Sequence, residues 1–131
     1  MTTSNAPHIE VGKNGEVIAK NYLLKIGYRI IQRNARVGQK DEIDIIAFDP
    51  EDGVYVFAEV KTRAHAGEYR PDINITYQKR AWMVRAARNY MATLDEEAGW
   101  RMDVISVVGE KVTDHHKEVR GHDERRRFSF R

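Results

Sequence analysis

The residues best suited to chemistry are two acidic segments and a lysine. Glu42-Ile43-Asp44 opens one apolar run, and Glu59-Val60-Lys61 closes the next. Residues two apart in a strand share a face, so Glu59 and Lys61 point the same way. The tight turn between the runs predicts antiparallel neighbours, which sets Asp44 beside Glu59 and Lys61. Two carboxylates that close repel in a partly buried site, and Lys61, a divalent cation or both must offset the repulsion. Oxygen donors in a chain without cysteine suit Mg²⁺ or Mn²⁺. Asp44 and Glu59 are the expected metal ligands, with the carbonyl of Val60 as a third. A cation held there polarises a phosphodiester and acidifies a bound water. Lys61 then positions or deprotonates the nucleophile, or stabilises developing charge.

Glu16 is a further candidate catalytic acid. It lies three residues before Ala19 and seven before Leu23, so it borders the apolar stripe of a helix and can reach the sheet. The tripeptide Glu-x-Lys alone carries little information, arising about once by chance in a chain of this composition. The ordered set is far more specific: a helical Glu, an Asp in a Val/Ile-rich strand, a sharp turn, then Glu-x-Lys.

The elements that must position these groups follow from hydrophobic periodicity. Residues 1–10 read as a flexible arm. From Gly12 to Ile26 the apolar residues recur every three or four positions, which predicts an amphipathic helix stopped by Gly27. Tyr28–Gln32 predicts a short strand and Asn34–Lys40 a turn. Glu42–Phe48 and Val54–Lys61 predict two strands joined by Asp49-Pro50-Glu51-Asp52-Gly53. The second is apolar on both faces until its last pair, so it should be central. Residues 62–75 read as a long loop, of the kind that is often functional. Thr76–Leu94 predicts a second helix, with Met83, Ala87, Tyr90, Met91 and Leu94 on one stripe. Met102–Val108 predicts a fourth strand. The polar stretch after Glu110 is either one more short strand or loose. The expected fold is a small mixed sheet flanked by helices, an α/β sandwich, with a domain over 11–110 and a charged tail over 111–131.

Composition narrows the rest. The 131 residues fit one domain, and a hydrophobic share of 41% allows a modest core. No apolar run approaches membrane-spanning length. The first residues lack a basic and apolar signal pattern, so a cytoplasmic location is expected. With no cysteine, a disulfide scaffold is excluded. The net charge of +2 says little about partners, but its distribution is uneven. Arg63, Lys79, Arg80, Arg85 and Arg88 are candidate contacts to nucleic-acid phosphates. Their plainest alternative role is a solvated surface. Gln78 and Lys79 open the second helix and are placed to reach the site.

Several segments resemble the YraN-like bacterial family: Gly12-Lys13-Asn14-Gly15-Glu16, Gly27-Tyr28-Arg29-Ile30-Ile31, Arg33-Asn34-Ala35-Arg36, Glu42-Ile43-Asp44-Ile45-Ile46-Ala47, and Val56 through Arg63. Lys79, Ala86-Ala87-Arg88-Asn89-Tyr90 and Arg101-Met102-Asp103-Val104 extend the match, which covers about residues 10–108. That family resembles the PD-(D/E)XK nucleases, and among them the archaeal Holliday-junction resolvases. The resemblance implies a restriction-endonuclease-like fold. It implies that Asp44, Glu59 and Lys61 occupy the nuclease motif, with Glu16 as the helical acid. Asp41 departs from the pattern, in which a glycine usually precedes Glu-Ile-Asp.

The expected activity is Mg²⁺- or Mn²⁺-dependent hydrolysis of phosphodiester bonds in DNA, with branched or structured DNA a candidate substrate. Two other functions keep the same site: a non-catalytic nucleic-acid-binding module, and an interaction subunit that needs a homodimer or a protein partner. The loop over 62–75 and the charged tail are where a partner would dock. Asp103 is expected to be structural, Trp82 and Trp100 to be packing aromatics, and His115 and His116 to be solvated. Arg125-Arg126-Arg127 and Phe128 either touch nucleic acid or form a solvated tail.

Overall fold

A computed structural model describes residues 7–37, 41–63 and 77–118. Seven elements follow in order: α1 (Pro7–Lys25), β1 (Arg29–Val37), β2 (Asp41–Asp49), β3 (Val54–Arg63), α2 (Tyr77–Ala92), β4 (Gly99–Val108) and β5 (Lys111–Glu118). The strands form one sheet in the order β1-β2-β3-β4-β5. β1, β2 and β3 are an antiparallel meander, β3 and β4 pair in parallel, and β4 and β5 form an antiparallel hairpin. The parallel step needs a crossover, and α2 lies within it. The result is a mixed-sheet α/β sandwich, compatible with the restriction-endonuclease-like fold expected from the sequence.

Each sheet face has its own core. On one side Ala19 and Leu23 of α1 pack with Ile45, Ala47, Val56, Ala58, Ile105 and Val107. On the other Met83, Ala86 and Ala87 of α2 pack with Ile46, Phe57, Trp100, Met102 and Val104. β3 therefore runs through the centre with both faces covered, as its double apolar pattern predicts. Burying each large aliphatic or aromatic side chain stabilises the fold by about 1.5–3 kcal/mol.

α1 ends where Gly27 takes a φ of 101°, a conformation that strains any residue with a Cβ. The Tyr28 N–H then reaches the Leu23 carbonyl at 2.9 Å, and the Gly27 N–H reaches Leu24 at 3.1 Å. This is the Schellman pattern, which satisfies carbonyls the helix end would otherwise orphan.

Several boundaries differ from the sequence expectations. α1 begins at Pro7, so residues 7–10 are helical rather than part of an arm; residues 1–6 lie outside the described set. Proline suits a first helical turn because its missing N–H has no partner there anyway. β1 continues through Asn34-Ala35-Arg36-Val37, where a turn was expected, because pairing to β2 supplies the ladder. Asn34 keeps its turn-like character within the strand, with a φ of 52°, a conformation asparagine tolerates better than most residues. Residues 111–118 are an edge strand, the first of the two alternatives for the stretch after Glu110; residues 119–131 lie outside the described set. The charge of this strand is what allows an edge to stay solvated without recruiting another chain. The loop beyond Arg63 and the arginines near the C-terminus lie outside the described residues.

β5 is held by a buried ionic network on the α1 face. The Arg101 guanidinium donates to both Asp103 oxygens at 2.7 and 3.0 Å, to Asp49 at 3.2 Å, to Asp52 at 2.8 Å and to the Tyr28 hydroxyl at 2.7 Å. His115 completes it from β5. Its Nε2 lies 2.7 Å from Asp103, and its Nδ1 lies 2.9 Å from the Tyr22 hydroxyl. Both contacts are satisfied when Nε2–H donates to Asp103 and Tyr22 donates to Nδ1. The His115 side chain is only 7% exposed, which corrects the expectation that it is solvated. Asp103 is fully buried and structural, as expected.

Candidate active site

The pairing of β2 with β3 ends at Ile45–Ala58, so the strands part just where Asp44 faces Glu59. Asp44 Oδ2 accepts the Val60 N–H at 2.8 Å and thereby holds the two strand ends together. Glu59 and Lys61 emerge on the α2 face, and Lys79 from the first turn of α2 places its Nζ 3.6 Å from Glu59. From the opposite face α1 brings Glu16 within electrostatic reach of Asp44.

That approach depends on Gly15. A Cβ there would stand 2.3 Å from Thr62 Oγ1 and 2.8 Å from its Cγ2. Only glycine lets this turn of α1 lie against the end of β3, and Glu16 follows directly from it.

The electrostatics reflect crowding of like charges. Burial raises the Glu16 carboxyl above its usual range, and neighbouring Asp44 raises it further, against a lowering influence from Arg33. Burial also raises Asp44, although the Val60 N–H and Lys79 favour its charged form. Glu59 is raised by burial and then by Asp44, with Lys79 and Lys61 opposing. Perturbation of this kind by burial plus specific partners is typical of functional sites.

The predicted set Glu16, Asp44, Glu59, Val60 and Lys61 thus comes together at one place. Among the described residues no three His, Asp or Glu side chains form a ready-made metal cage. A hard cation such as Mg²⁺ does not require one, since it binds through one or two carboxylates and keeps several waters. Asp44 Oδ1, the Glu59 carboxylate and the Val60 carbonyl are chemically suited donors.

The basic residues divide. Lys79 belongs to the acid cluster and also lies over the Trp82 ring, 5.4 Å from its centroid. Arg63, at the end of β3, donates to the Thr62 carbonyl at 3.0 Å. Arg80, Arg85 and Arg88 instead line a cavity of about 460 Å³ along α2 with Tyr77, Val84 and Asn89. Gln78 is exposed, Trp100 is buried in the core, and Trp82 packs against that core. One residue near the acids was not singled out from the sequence. Arg33 of β1 lies 4.0 Å from Glu16, and its face depends on a bulge that no periodicity reveals.

Fold and site together define a small mixed-sheet α/β domain with an acid cluster at the fork of two strands. Among known proteins, the Uncharacterised protein family UPF0102 matches residues 15–107. The chain belongs to that family. The matched span holds Glu16, Arg33, Asp44, Glu59, Lys61 and Lys79 and stops before β5. The UPF0102 protein of Chlorobium limicola is 43% identical over 107 residues, covering 81% of this chain and 80% of its own. That of Chlorobaculum tepidum is 43% identical over 113 residues, covering 84% and 83%. That of Chlorobaculum parvum is 46% identical over 101 residues, covering 75% and 74%.

Proposed function

We propose that this domain hydrolyses phosphodiester bonds in DNA with the help of Mg²⁺ or Mn²⁺. The observation that supports it best is the convergence of Glu16, Asp44 and Glu59 at the strand fork, each carboxyl raised by burial and neighbours, with Lys61 and Lys79 alongside. Asp44, Glu59 and the Val60 carbonyl would hold the cation. When bound, it supplies charge neutralisation, polarisation of the phosphodiester and a more acidic water.

The chain's own groups do the rest. The Val60 N–H fixes one Asp44 oxygen at the fork. Lys61 shares a strand face with Glu59, so its ammonium orients the attacking water or meets charge developing on phosphorus. Glu16, whose carboxyl is raised by burial and by Asp44, is the group placed to pass a proton to a departing oxygen. Lys79 holds Glu59 from the side of α2. Arg80, Arg85, Arg88 and Arg63 supply positive surface for the flanking phosphates.

The test is a cleavage screen with Mn²⁺ over single-stranded, duplex, flap and four-way DNA, run beside Lys61→Ala. Cleavage by the native chain that disappears in the variant supports the activity, because a contaminating nuclease would ignore the substitution. No product from any DNA at any loading refutes it.

A further inference from the structure

β1 carries an irregularity that aims one side chain at the acid cluster. Ile30 faces Ala47 across the ladder, yet Gln32 faces Ile46, so Ile31 is an extra residue. A one-residue slip moves the side chains that follow it to the other face, here as far as Arg33; at Asn34, with its φ of 52°, the strand turns again and Ala35 joins the core under α2. Arg33 is thereby paired with Ile45, which belongs to the core under α1. Without the bulge it would point towards α2. With it, the guanidinium arrives beside Glu16. Bulges of this type commonly re-aim a side chain next to a site.

The contact it makes there is loose. The Arg33–Glu16 separation is 4.0 Å, the outer limit of an ion pair. Its Nε is buried and has no hydrogen-bond partner among the described residues. A third of the side chain remains exposed, at 33%. A planar fork of donors, weakly engaged at the rim of an acid cluster, is poorly explained as a structural ion pair. It is well suited to a tetrahedral anion with two free oxygens, which guanidinium binds in bidentate fashion.

We propose that Arg33 is the phosphate-binding residue of the site, and that Glu16 occupies it only until a phosphodiester arrives. This deepens the proposed nuclease activity and rests on it. Arg33 takes the non-bridging oxygens of the phosphodiester, and Glu16 is released towards Asp44. The bulge at Ile31 exists to make that exchange possible. Lysine cannot replace Arg33 fully, because an ammonium offers charge without the fork.

The experiment compares the native chain with Arg33→Ala and Arg33→Lys. Fluorescently labelled single-stranded and duplex oligonucleotides are titrated in EDTA over a range of salt, and cleavage is then measured with Mn²⁺. Arg33→Ala is expected to bind about tenfold more weakly and to reduce the slope of log affinity against log salt by about one, the signature of one lost phosphate contact. Its melting temperature stays close to that of the native chain, since a pair at 4.0 Å adds little stability. Arg33→Lys is expected to recover most of the binding while kcat stays down by about a hundredfold, as when one oriented donor is lost. If Arg33→Ala binds and cuts like the native chain, the assignment of Arg33 is overturned and the nuclease activity stands. If the native chain binds no oligonucleotide the assignment of Arg33 falls, and if it also cuts no DNA with Mn²⁺ the nuclease activity falls with it. If Arg33→Ala melts much lower and Arg33→Lys restores stability, binding and cleavage alike, Arg33 is only a structural charge partner and the proposal is overturned.

Discussion

Replacing Gly15 with alanine is expected to destabilise the domain, the reverse of the usual effect in a helix. Alanine normally gains about 0.5–1 kcal/mol over glycine in a helix interior. Here the new Cβ would lie 2.3 Å from Thr62 Oγ1, 2.8 Å from Cγ2 and 3.1 Å from Cβ. Ordinary carbon contacts lie at about 3.5–4.0 Å. Rotating the Thr62 side chain exchanges one clash for another, and its Cβ cannot rotate away. α1 must therefore lift from the end of β3, an overpacking that costs about 1–3 kcal/mol. The net loss is about 1–2 kcal/mol, or a melting temperature about 4–8 °C lower for a domain of this size. The assay is thermal and urea unfolding of Gly15→Ala, Thr62→Ala and the double variant. Thr62→Ala removes the two closest atoms, so the double variant should recover about 1 kcal/mol relative to additivity. Because Glu16 moves with this turn, Gly15→Ala should also lose cleavage. A variant as stable as the native chain in both backgrounds would refute the close approach of α1, and with it the placement of Glu16 at the strand fork.

Four further outcomes follow from the geometry. Asp103→Ala leaves Arg101 buried without its bidentate partner and should cost about 3–5 kcal/mol in urea unfolding; a loss below 1 kcal/mol would contradict the network. Burial pushes the Asp49 carboxyl up, but hydrogen bonds from Arg101 and from the Asp52 and Glu51 N–H groups outweigh it and hold it below the usual range. Its folded value is depressed, so its stabilisation is full above the ordinary carboxylate range and lost as pH falls through the lowered value. The gap in melting temperature between the native chain and Asp49→Asn should therefore close in strong acid, and a constant gap would exclude that linkage. Glu59 has the opposite sign: its raised carboxyl favours the fold below the ordinary range and loses that contribution as pH rises through the raised value. In EDTA, Glu59→Gln should melt above the native chain near neutral pH and match it in acid. Finally, Mn²⁺ at a hundred times its dissociation constant should add about 2.7 kcal/mol to the native chain by mass action. Asp44→Ala should abolish that shift, and equal shifts in both proteins would place the ion elsewhere.

Local pattern made much of this domain legible from the sequence. The period-two faces of Val54–Lys61 identified a doubly covered central strand. The Asp49–Gly53 turn made β2 and β3 antiparallel, and from that pairing Asp44 had to meet Glu59 and Lys61. Gly27 marked the end of α1. These conclusions depend on one or two adjacent elements, whose geometry is set by alternation and turn chemistry. The strand character of Lys111–Glu118 was much less legible, because an edge strand made of charged residues has the composition of a tail.

Tertiary structure alone decided the features that join distant parts of the chain. That Gly15 and Thr62 touch follows from how α1 crosses the sheet, and no spacing encodes it. His115 became a buried partner of Asp103 because β5 pairs with β4 and brings it over Arg101. Arg33 reached the acid cluster because one extra residue at Ile31 reversed the face of the strand. A sequence determines its periodicities directly, since they arise from bonds between neighbours. The face a bulged strand presents, and the charge that meets it there, depend on the register between strands, which only the folded sheet selects.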